Sequence, residues 1–427
     1  MHESGFHTKG WVNKVTIMTQ NNRTTDWPKW PTCSKNAASA MSKTVASLNW
    51  TARSVNTTSR FEESIFSEKF SLFTGASFCI PTSSGTSALT IALQALGVGA
   101  GDEVIIPTMT WIANASSVLL LGACPILADV NPNTSCIDIS ETEKLITERT
   151  KAIVCVHLHC SACSVIELLN LANEHDIPII EDCAQSIGTC IDKKHVGNFG
   201  QIGCFSFNSE KCLAAGEGGA VITNDKSLAY KLQALRSDGY RQDTPIVGLR
   251  SFREPFGIVG QNHFMNEFVA CLLNVNIETL QHECSIRHKV AGKIDEYLLS
   301  TGHIQPLLIP KNVTQRGIYE YAMILSDDLL SCIGLLKFAQ RMEERTGIIM
   351  HPTDVPLHKN PLMETSNDIR FKHISSVLDR QRLSRRFGNA DSLHERMLVF
   401  HHKYLLAPSG QIEFLLNNIS KILEEGL

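Results

Sequence analysis

The sequence lacks an excess of charge of either sign, and it lacks a long apolar run. Its formal net charge is −4 over 427 residues, which gives no basic surface for binding nucleic acid. No stretch reaches the roughly 20 consecutive apolar residues of a membrane span, so we expect no membrane partner. The first 22 residues also lack the apolar segment of a secretory signal, and we therefore expect a cytoplasmic protein.

The 14 cysteines are too few to build a disulfide scaffold in a chain of this length. One cluster is more specific, because "HLHCSAC" places Cys160 and Cys163 at C-x-x-C spacing after His157 and His159. A structural zinc site of this kind needs a second pair of ligands, and the sequence has no second C-x-x-C pair. The cluster therefore favours a strand end and its loop over a redox or metal site, and we expect no metal.

From Ser77 the sequence alternates short apolar strands with amphipathic helices. The predicted strands are "EVIIP", "CPILADV", "KAIVCVHLH", "IPIIEDCAQ", "GCFSFN" and "GGAVITND", and the predicted helices are "SSGTSALTIALQALGVGAGDE", "SSVLLLG", "ISETEKLI" and "VIELLNLANEHD". This alternation predicts an α/β domain with a mostly parallel sheet covered by helices on both faces.

The length of the chain exceeds the size at which a single core usually stops growing, which favours a second domain. We predict an N-terminal extension and arm over residues 1–60, a large α/β domain over 61–275 and a smaller α+β domain over 276–427. The last includes the apolar strand "IYEYAMIL".

Two further segments stand out by composition. "WPKWP" at residues 27–31 combines extended backbone with large apolar rings, and it predicts an arm that lies on a surface of this subunit or of a partner. The charged stretch "TSNDIRFKHISSVLDRQRLSRRFGN" predicts a surface segment.

Candidate functional residues follow the predicted strands, because ligands of such sheets bind beyond the carboxyl ends of the strands. "SSGTSAL" opens a helix with glycine and small hydroxyl residues, which suits a phosphate and suits a simple helix cap equally well. "EDCAQ" ends a strand with Asp182 and Gln185. A buried carboxylate there needs a cationic partner, such as a protonated pyridine nitrogen, unless it caps the next turn.

The stretch "GCFSFNSEKCLAAGEGG" encloses Lys211 between an apolar strand and a glycine-rich turn. A lysine with the usual pKa of about 10.4 is a poor nucleophile, and apolar enclosure would lower that pKa. Ser206 could hold a phosphate oxygen, and Trp111, which follows another strand, could stack on an aromatic ring. Together these residues describe a pyridoxal phosphate site. A dinucleotide site fits less well, because "GVGAG" follows a helix rather than a strand.

These motifs make the sequence similar to the DegT/StrS family of pyridoxal phosphate-dependent sugar aminotransferases, which has the type I aminotransferase fold. The resemblance covers most of the chain and is densest between Ser83 and Asp225. The matching segments are "SGTSAL", "GDEVIIPTMTW", "EDCAQSIG", "VGNFGQIGCFSF", Lys211 and "GEGGAVITND".

The resemblance implies a role for each candidate residue. Lys211 would bond covalently to the cofactor, and Asp182 would hold its ring nitrogen. The implied cofactor contacts are Gly85, Thr86, Ser87 and Ser206 around the phosphate, Trp111 stacked on the ring, Gln185 at the ring's face or hydroxyl, and Asn262 reaching across a homodimer to the neighbour's phosphate. Many family members carry arginine where this chain has Phe264, which departs from the pattern beside Asn262.

The implied reaction moves an amino group from glutamine or glutamate to a keto-sugar or cyclitol ketone. "WPKWP" and "NEF" are most similar to the branch that aminates cyclitol ketones, and "VPLHKNPL", with His358, resembles a substrate loop. The alternatives are a sugar-nucleotide aminotransferase, an aminohydroxybenzoate synthase, a dehydratase on the same scaffold and a scaffold without turnover. Relatives that are dehydratases carry histidine in place of the lysine.

Overall fold

The computed structural model describes residues 26–52, 60–240, 257–364 and 368–426, so the first 22 residues lie outside the described part. The strands are β1 Phe78–Thr82, β2 Glu103–Pro107, β3 Cys124–Ala128, β4 Thr150–Val156, β5 Ile179–Asp182, β6 Cys190–Ile191, β7 Lys194–His195, β8 Ile202–Ser206, β9 Gly219–Thr223, β10 Ile304–Pro306, β11 Val313–Gln315, β12 Glu320–Leu325, β13 Met350–Pro352 and β14 Met397–His401. The α-helices are α1 Ala37–Ser47, α2 Glu62–Thr74, α3 Gly85–Ala95, α4 Ala113–Leu120, α5 Ile139–Glu143, α6 Val165–Glu174, α7 Lys226–Leu235, α8 Glu267–Thr301, α9 Asp327–Cys332, α10 Leu335–Thr346, α11 Ser375–Ser384, α12 Gly388–Arg396 and α13 Ser409–Gly426.

Seven strands form the main sheet in the order β1-β9-β8-β5-β4-β2-β3. The pairs from β8 through β5, β4 and β2 to β3 are parallel, whereas β9 pairs antiparallel with both β1 and β8. The mostly parallel sheet predicted from the sequence is therefore confirmed. Its parallel strands are continuous apolar runs because helices cover both faces, and Ile105, Ile153 and Val154 are fully buried or nearly so.

The predicted helices are present, with shorter or shifted bounds. The helix predicted from "SSGTSAL" onward begins at Gly85 and ends at Ala95, before the left-handed Gly97 (φ 78°). The helix predicted at "SSVLLLG" begins earlier, at Ala113, because two of the three residues before the predicted segment are alanines, which favour a helix. None of the helices in the described part of the chain combines the length and apolar character needed to cross a membrane.

Two smaller sheets accompany the main one. An antiparallel sheet has the order β10-β12-β14-β13, and a short one has the order β11-β6-β7. Helix α8, 35 residues long, leads from the main sheet into β10 and is closed by Asn266 at its start and Gly302 at its end. The predicted domain boundary at residue 275 falls inside this helix and stays a prediction.

The "WPKWP" segment, which we call the tryptophan arm (residues 27–31), docks on its own chain. The Trp27 indole N–H donates to the Thr346 carbonyl at 2.7 Å, and its ring meets Tyr404 edge-on at 5.4 Å. The Trp30 ring meets His402 edge-on at 4.5 Å. The large apolar rings thus find a surface within the subunit.

The charged segment predicted to lie on the surface also closes an edge of the main sheet. Gln381 of α11 is buried; its Oε1 accepts from the Leu127 N–H at 2.7 Å and its Nε2 donates to the Pro125 carbonyl at 3.1 Å. Strand β3 is the edge strand, so these two bonds satisfy backbone groups that would otherwise offer pairing to another chain. The surface prediction was therefore wrong for this residue, because side-chain amides can replace a neighbouring strand.

Candidate active site

A cavity of about 410 Å³ lies at the carboxyl ends of β2, β5 and β8. It is lined by Ser84, Gly85, Thr86, Leu89, Thr110, Trp111, Ala113, Val156, Asp182, Ala184, Gln185, Cys204, Phe205, Ser206, Asn208, Lys211, Glu217, Tyr319, Glu320 and Asp354. The structure thus brings together seven predicted site residues, namely Gly85, Thr86, Trp111, Asp182, Gln185, Ser206 and Lys211.

The start of α3 forms one wall of the cavity. Ser84 caps the helix, its Oγ accepting from the Ser87 N–H at 3.0 Å. A Cβ on Gly85 would lie 2.8 Å from the Ser206 Cβ, so only glycine allows the helix to approach Ser206 this closely. The first N–H groups of a helix lack partners within it, and together with the hydroxyls of Thr86 and Ser206 they form a cradle suited to a phosphate.

Ser87 was also predicted to contact the cofactor. The structure places it outside the cavity lining and buries its side chain. Its hydroxyl lies 2.9 Å from the Ser83 Oγ and 3.0 Å from the Ser84 Oγ, so it belongs to the helix cap. Its role at the cofactor stays a prediction.

Asp182 ends β5 as a buried carboxylate held by two hydrogen bonds. Its Oδ1 accepts from the Ala184 N–H at 3.0 Å, and its Oδ2 accepts from the Asn114 amide at 2.7 Å. The same amide donates to the Thr110 hydroxyl at 2.8 Å. These partners are neutral, so neither of them supplies the countercharge that a cationic group in the cavity would provide.

Lys211 projects into the cavity with its Nζ 3.6 Å from the centroid of the Tyr319 ring. Burial lowers the pKa of Lys211 below its usual range, although Asp182 and Glu320 act in the opposite direction. A buried amine with a lowered pKa can give up its proton and act as a nucleophile or a base. The structure therefore gives Lys211 the enclosure that the sequence indicated.

A polar network forms another wall of the cavity. Glu320 Oε2 lies 3.2 Å from the His159 Nδ1, and the backbone N–H of His159 donates to the Gln185 Oε1 at 3.1 Å. Burial alone would raise the pKa of Glu320, but the hydrogen bond and charge of His159, followed by the charges of His351 and Lys211, outweigh it and hold that pKa below its usual range. Burial, followed by the charge of Glu320, raises the pKa of Asp354.

Trp111 is 61% exposed and lines the cavity from the loop between β2 and α4. A large aromatic ring that is exposed at the mouth of a cavity offers a surface on which a flat ring can stack. This location agrees with the predicted stacking role, which no contact in the structure tests.

Asn262 is exposed and does not line the cavity. Its backbone forms an isolated antiparallel bridge with Ser237, and its Oδ1 accepts from the Phe264 N–H at 3.4 Å. The Phe264 ring lies 4.6 Å from the Arg236 guanidinium carbon. The segment therefore pairs with the residues that follow α7, and Asn262 is not among the residues that line the cavity of its own chain.

His358 is a structural residue in this fold. It is buried, its Nδ1 lies 2.9 Å from the Thr108 Oγ1 and its Nε2 lies 3.0 Å from the Asp391 Oδ1. Its ring stacks on Phe387 at 4.3 Å. Both ring nitrogens are engaged away from the cavity, so the resemblance to a substrate loop does not bring this histidine to the site.

The cysteine cluster is buried. Cys160 and Cys163 are free thiols, and burial raises the pKa of Cys160 to about 11. Of the 14 cysteines only Cys33 and Cys332 are exposed.

Nearby, His157, Glu181 and Cys183 approach one another closely enough to resemble a metal site. The Glu181 carboxylate already accepts from His157 at 3.1 Å and from three backbone N–H groups, those of Gly197, Phe199 and Gly200. His157 Nδ1 accepts from the Cys163 N–H at 3.2 Å. These hydrogen bonds therefore fasten the loop at residues 197–200 to β5, and they already use the carboxylate and imidazole atoms that a metal ion would need.

Several lining residues were not predicted from the sequence. Tyr319, Glu320 and Asp354 come from the smaller antiparallel sheet and its loops, more than 100 residues after Lys211, and no local motif marks them. Asn114 lies one helical turn after Thr110. A buried asparagine inside the apolar helix "WIANASSVLL" was the available signal for it.

The site can hold a flat, cationic ring that carries a phosphate. Asp182 supplies the charge for a ring nitrogen, the start of α3 and Ser206 suit the phosphate, and Trp111 offers a stacking face. Lys211 supplies an amine. This donor set fits pyridoxal phosphate, so the fold's residues agree with the cofactor that the resemblance implies.

Comparison with known proteins agrees with the geometry. Residues 38–408 match the signature of the DegT/DnrJ/EryC1/StrS aminotransferase family. The chain is 37% identical over 403 residues to the L-glutamine:2-deoxy-scyllo-inosose aminotransferase of Micromonospora echinospora, covering 94% of this chain and 95% of the relative. It is 35% identical over 402 residues to the L-glutamine:scyllo-inosose aminotransferase of Streptomyces griseus, covering 93% and 95%. The crystal structure of an aminotransferase from Psychrobacter cryohalolentis superposes with a TM-score of 0.79 at 26% identity, covering 94% of this chain and 99% of that one.

Proposed function

The chain belongs to the DegT/DnrJ/EryC1/StrS aminotransferase family, and from this membership and its cavity we propose that it transfers an amino group from glutamine or glutamate to a cyclitol ketone. Members of this family are pyridoxal phosphate-dependent aminotransferases of the type I fold. Two relatives that are similar over nearly their whole length are named for glutamine as donor and an inosose as acceptor. This favours an aminocyclitol product.

The charged residues of the cavity wall indicate which class of acceptor the site favours. Glu217, Glu320 and Asp354 line it with carboxyl groups, and Lys211 is the only lysine or arginine among the described residues that line the cavity. Carboxyl groups accept hydrogen bonds from hydroxyl groups. The start of α3 with Ser206 is assigned to the phosphate of the cofactor, so the phosphates of a nucleotide would meet carboxyl groups and no further cation among the described lining residues. The wall therefore suits a neutral polyhydroxylated ketone better than an acceptor that carries a nucleoside diphosphate.

Each residue then has a task in the transfer. Pyridoxal phosphate, when bound, supplies an electron-accepting ring. Asp182 holds a proton on the ring nitrogen by its negative charge, and the start of α3 with Thr86 and Ser206 binds the phosphate. Lys211 Nζ carries a proton to and from the reacting carbon, since burial lowers the pKa of its amine and leaves the neutral form accessible.

An acceptor screen tests this proposal. Purified holoenzyme is incubated with glutamine or glutamate and with scyllo-inosose, 2-deoxy-scyllo-inosose or nucleotide-linked 3- and 4-keto sugars, and the amine product is measured by mass spectrometry. We expect amination of an inosose and little of the nucleotide-linked ketones. Turnover of nucleotide-linked ketones alone would contradict the proposal and favour the sugar-nucleotide alternative.

We also propose that the working unit is a homodimer in which Asn262 completes the neighbour's site. Two observations support it. Asn262 is exposed and lies away from its own cavity. The start of α3, which suits a phosphate, lies near the Asn262 segment, because the Ser83 N–H donates to the His263 carbonyl at 2.8 Å. A closed two-fold pair would bring the two segments to each other's sites.

Complementation tests the shared site. Lys211→Ala removes the amine, and Asn262→Asp places a negative charge where the phosphate of the neighbour is proposed to lie. Each variant alone should be inactive, whereas an equal mixture that is dissociated and reassembled should recover about a quarter of wild-type activity, because half of the dimers are hybrids with one intact site each. Gln261→Glu, an equal charge change one residue away, is the control and should not be inactive. Sedimentation of an active monomer at assay concentration would refute the dimer.

A further inference from the structure

The backbone just before Lys211 is bonded to distant parts of the chain. Lys211 lies in what we call the lysine loop (residues 207–218), which joins β8 to β9. The Trp30 indole N–H donates to the Ser209 carbonyl at 3.0 Å. The Nε2 atoms of His401 and His402 each lie 3.1 Å from the Glu210 carbonyl oxygen. Two consecutive carbonyls before Lys211 are thus tied to the tryptophan arm and to the end of β14.

The two histidines donate these bonds as neutral rings. The Lys403 N–H donates to the His401 Nδ1 at 3.1 Å, so the ring proton of His401 sits on Nε2, facing Glu210. Burial lowers the pKa of His401 to about 4 and lowers that of His402 well below its usual range. Neutral imidazoles have one N–H each, and here both are directed at the same carbonyl.

The Trp30 ring is held from two sides, which fixes the direction of its N–H. One side meets the edge of the His402 ring at 4.5 Å. The Arg287 guanidinium carbon lies 5.4 Å from the ring centroid, and Arg287 is fully buried and bonded to Glu283 at 2.8 Å. A cation over the face of an indole is attractive, and a buried one holds its position. Trp30 therefore cannot turn its donor away from the lysine loop without breaking these contacts.

We infer that Trp30 is a positioning residue for Lys211. Through Ser209 and Glu210 it fixes the backbone from which the Lys211 amine reaches over the Tyr319 ring. The lysine loop contains no strand or helix. Backbone bonds across the loop close its base, from the Phe207 N–H to the Gly218 carbonyl, from Ser209 to Gly216 and from Ala215 to Phe207. At the tip, the Lys211 N–H donates to the Asn208 carbonyl at 2.9 Å. The tip of a loop, where backbone bonds are few, opens locally at low free energy. The bond from Trp30 adds an external restraint two residues before the amine.

Two matched variants separate this role from general docking of the arm. Trp30→Phe and Trp27→Phe each keep an aromatic ring and delete one indole N–H. Only Trp30 donates to the lysine loop, whereas Trp27 donates to the Thr346 carbonyl. The holoenzyme of each is compared with wild type by hydrogen exchange of peptides covering residues 207–214, by kcat and KM, and by the pH at which the visible absorption of the bound cofactor changes.

We expect Trp30→Phe to speed exchange in the lysine-loop peptides by about tenfold and to lower kcat by about fivefold, the size of effect that one hydrogen bond carries. KM should change less than about twofold, because the bond acts on the amine rather than on substrate binding. The cofactor absorption should titrate at a shifted pH. Trp27→Phe should leave all of these at wild-type values.

Two results would overturn the inference. One is that Trp30→Phe matches Trp27→Phe in loop exchange, kcat and the absorption titration; the other is that both variants lose activity equally with equal loss of stability. If Trp30→Phe does not give folded protein, His402→Phe takes its place against the same control. It keeps a ring beside Trp30 and deletes a donor to Glu210, so the same pattern is expected, and its absence overturns the inference equally.

Discussion

Replacing Asp182 by asparagine removes a negative charge from the site, whereas an asparagine can still bond to the two hydrogen-bond partners of Asp182. An asparagine at this position can keep its oxygen toward the Ala184 N–H, which turns its NH₂ toward Asn114. The Oδ1 of Asn114 has no hydrogen-bond partner among the described residues. A half-turn of the Asn114 amide brings that oxygen to the new NH₂ and to the Thr110 hydroxyl, which can donate to it.

The stability and the rate should therefore respond differently. The number of hydrogen bonds is conserved, so we expect the free energy of unfolding to change by less than about 1 kcal/mol. The loss of a charge paired with a buried cation costs about 3 to 5 kcal/mol. If that cost falls on the reaction's charge-separated state, kcat drops by a factor of about 10² to 10⁴.

The assay combines kcat, cofactor retained after gel filtration and urea unfolding. Asp225→Asn is the control, because Asp225 accepts N–H bonds from Ser227 at 2.6 Å and Leu228 at 3.1 Å at the start of α7, outside the cavity. It should keep kcat within about twofold, since its oxygen can make the same bonds. A fully active Asp182→Asn enzyme, or one that is inactive because it has unfolded, would refute the reasoning.

Three further changes test other parts of the site. Lys211→Ala should abolish transamination with an unchanged circular dichroism spectrum, and turnover near the wild-type rate would end its proposed role. Gly85→Ala should weaken cofactor binding by about tenfold relative to Gly99→Ala, because the first new Cβ lies 2.8 Å from the Ser206 Cβ and the second meets nothing within 4 Å; equal cofactor affinities would contradict this. Burial lowers the pKa of His195 from 6.5 to about 4, so the unfolded chain takes up this proton first as the pH falls. The contribution of the neutral His195 to the free energy of unfolding is therefore complete above pH 6.5 and declines between pH 6.5 and about 4. Urea unfolding that depends equally on pH in the His195→Gln protein would contradict this.

The sequence predicted the main sheet well because buried parallel strands are short apolar runs with polar residues at their ends. Position indicated all three of Asp182, Ser206 and Trp111, since Asp182 and Ser206 each close such a run and Trp111 lies in the loop after one. The same rule could not find Tyr319 or Glu320. Tyr319 directly precedes β12 and Glu320 begins it, and only the packing of that second sheet against the lysine loop brings them to the cavity.

Hydrogen bonds between side chains and distant backbone groups were the second feature that could not be predicted from the sequence. "WPKWP" indicated that large rings dock somewhere, but a carbonyl carries no residue identity, so the partners Ser209 and Thr346 left no sequence signal. Gln381 was predicted to be a surface residue for the same reason. Its amide satisfies the edge of β3, which charge patterning cannot reveal.

The burial of nearly all the thiols bears on how this enzyme is handled at the bench. Alkylating reagents and peroxide attack thiolates that they can reach, and burial both hides a thiol and raises its pKa, as at Cys124 and Cys284, to about 12 in each. Cys33 and Cys332 are therefore the two positions at which a maleimide dye should react with the folded protein. A Cys332→Ser protein would carry a single dye three residues after Trp30, and the other thiols could stay as they are.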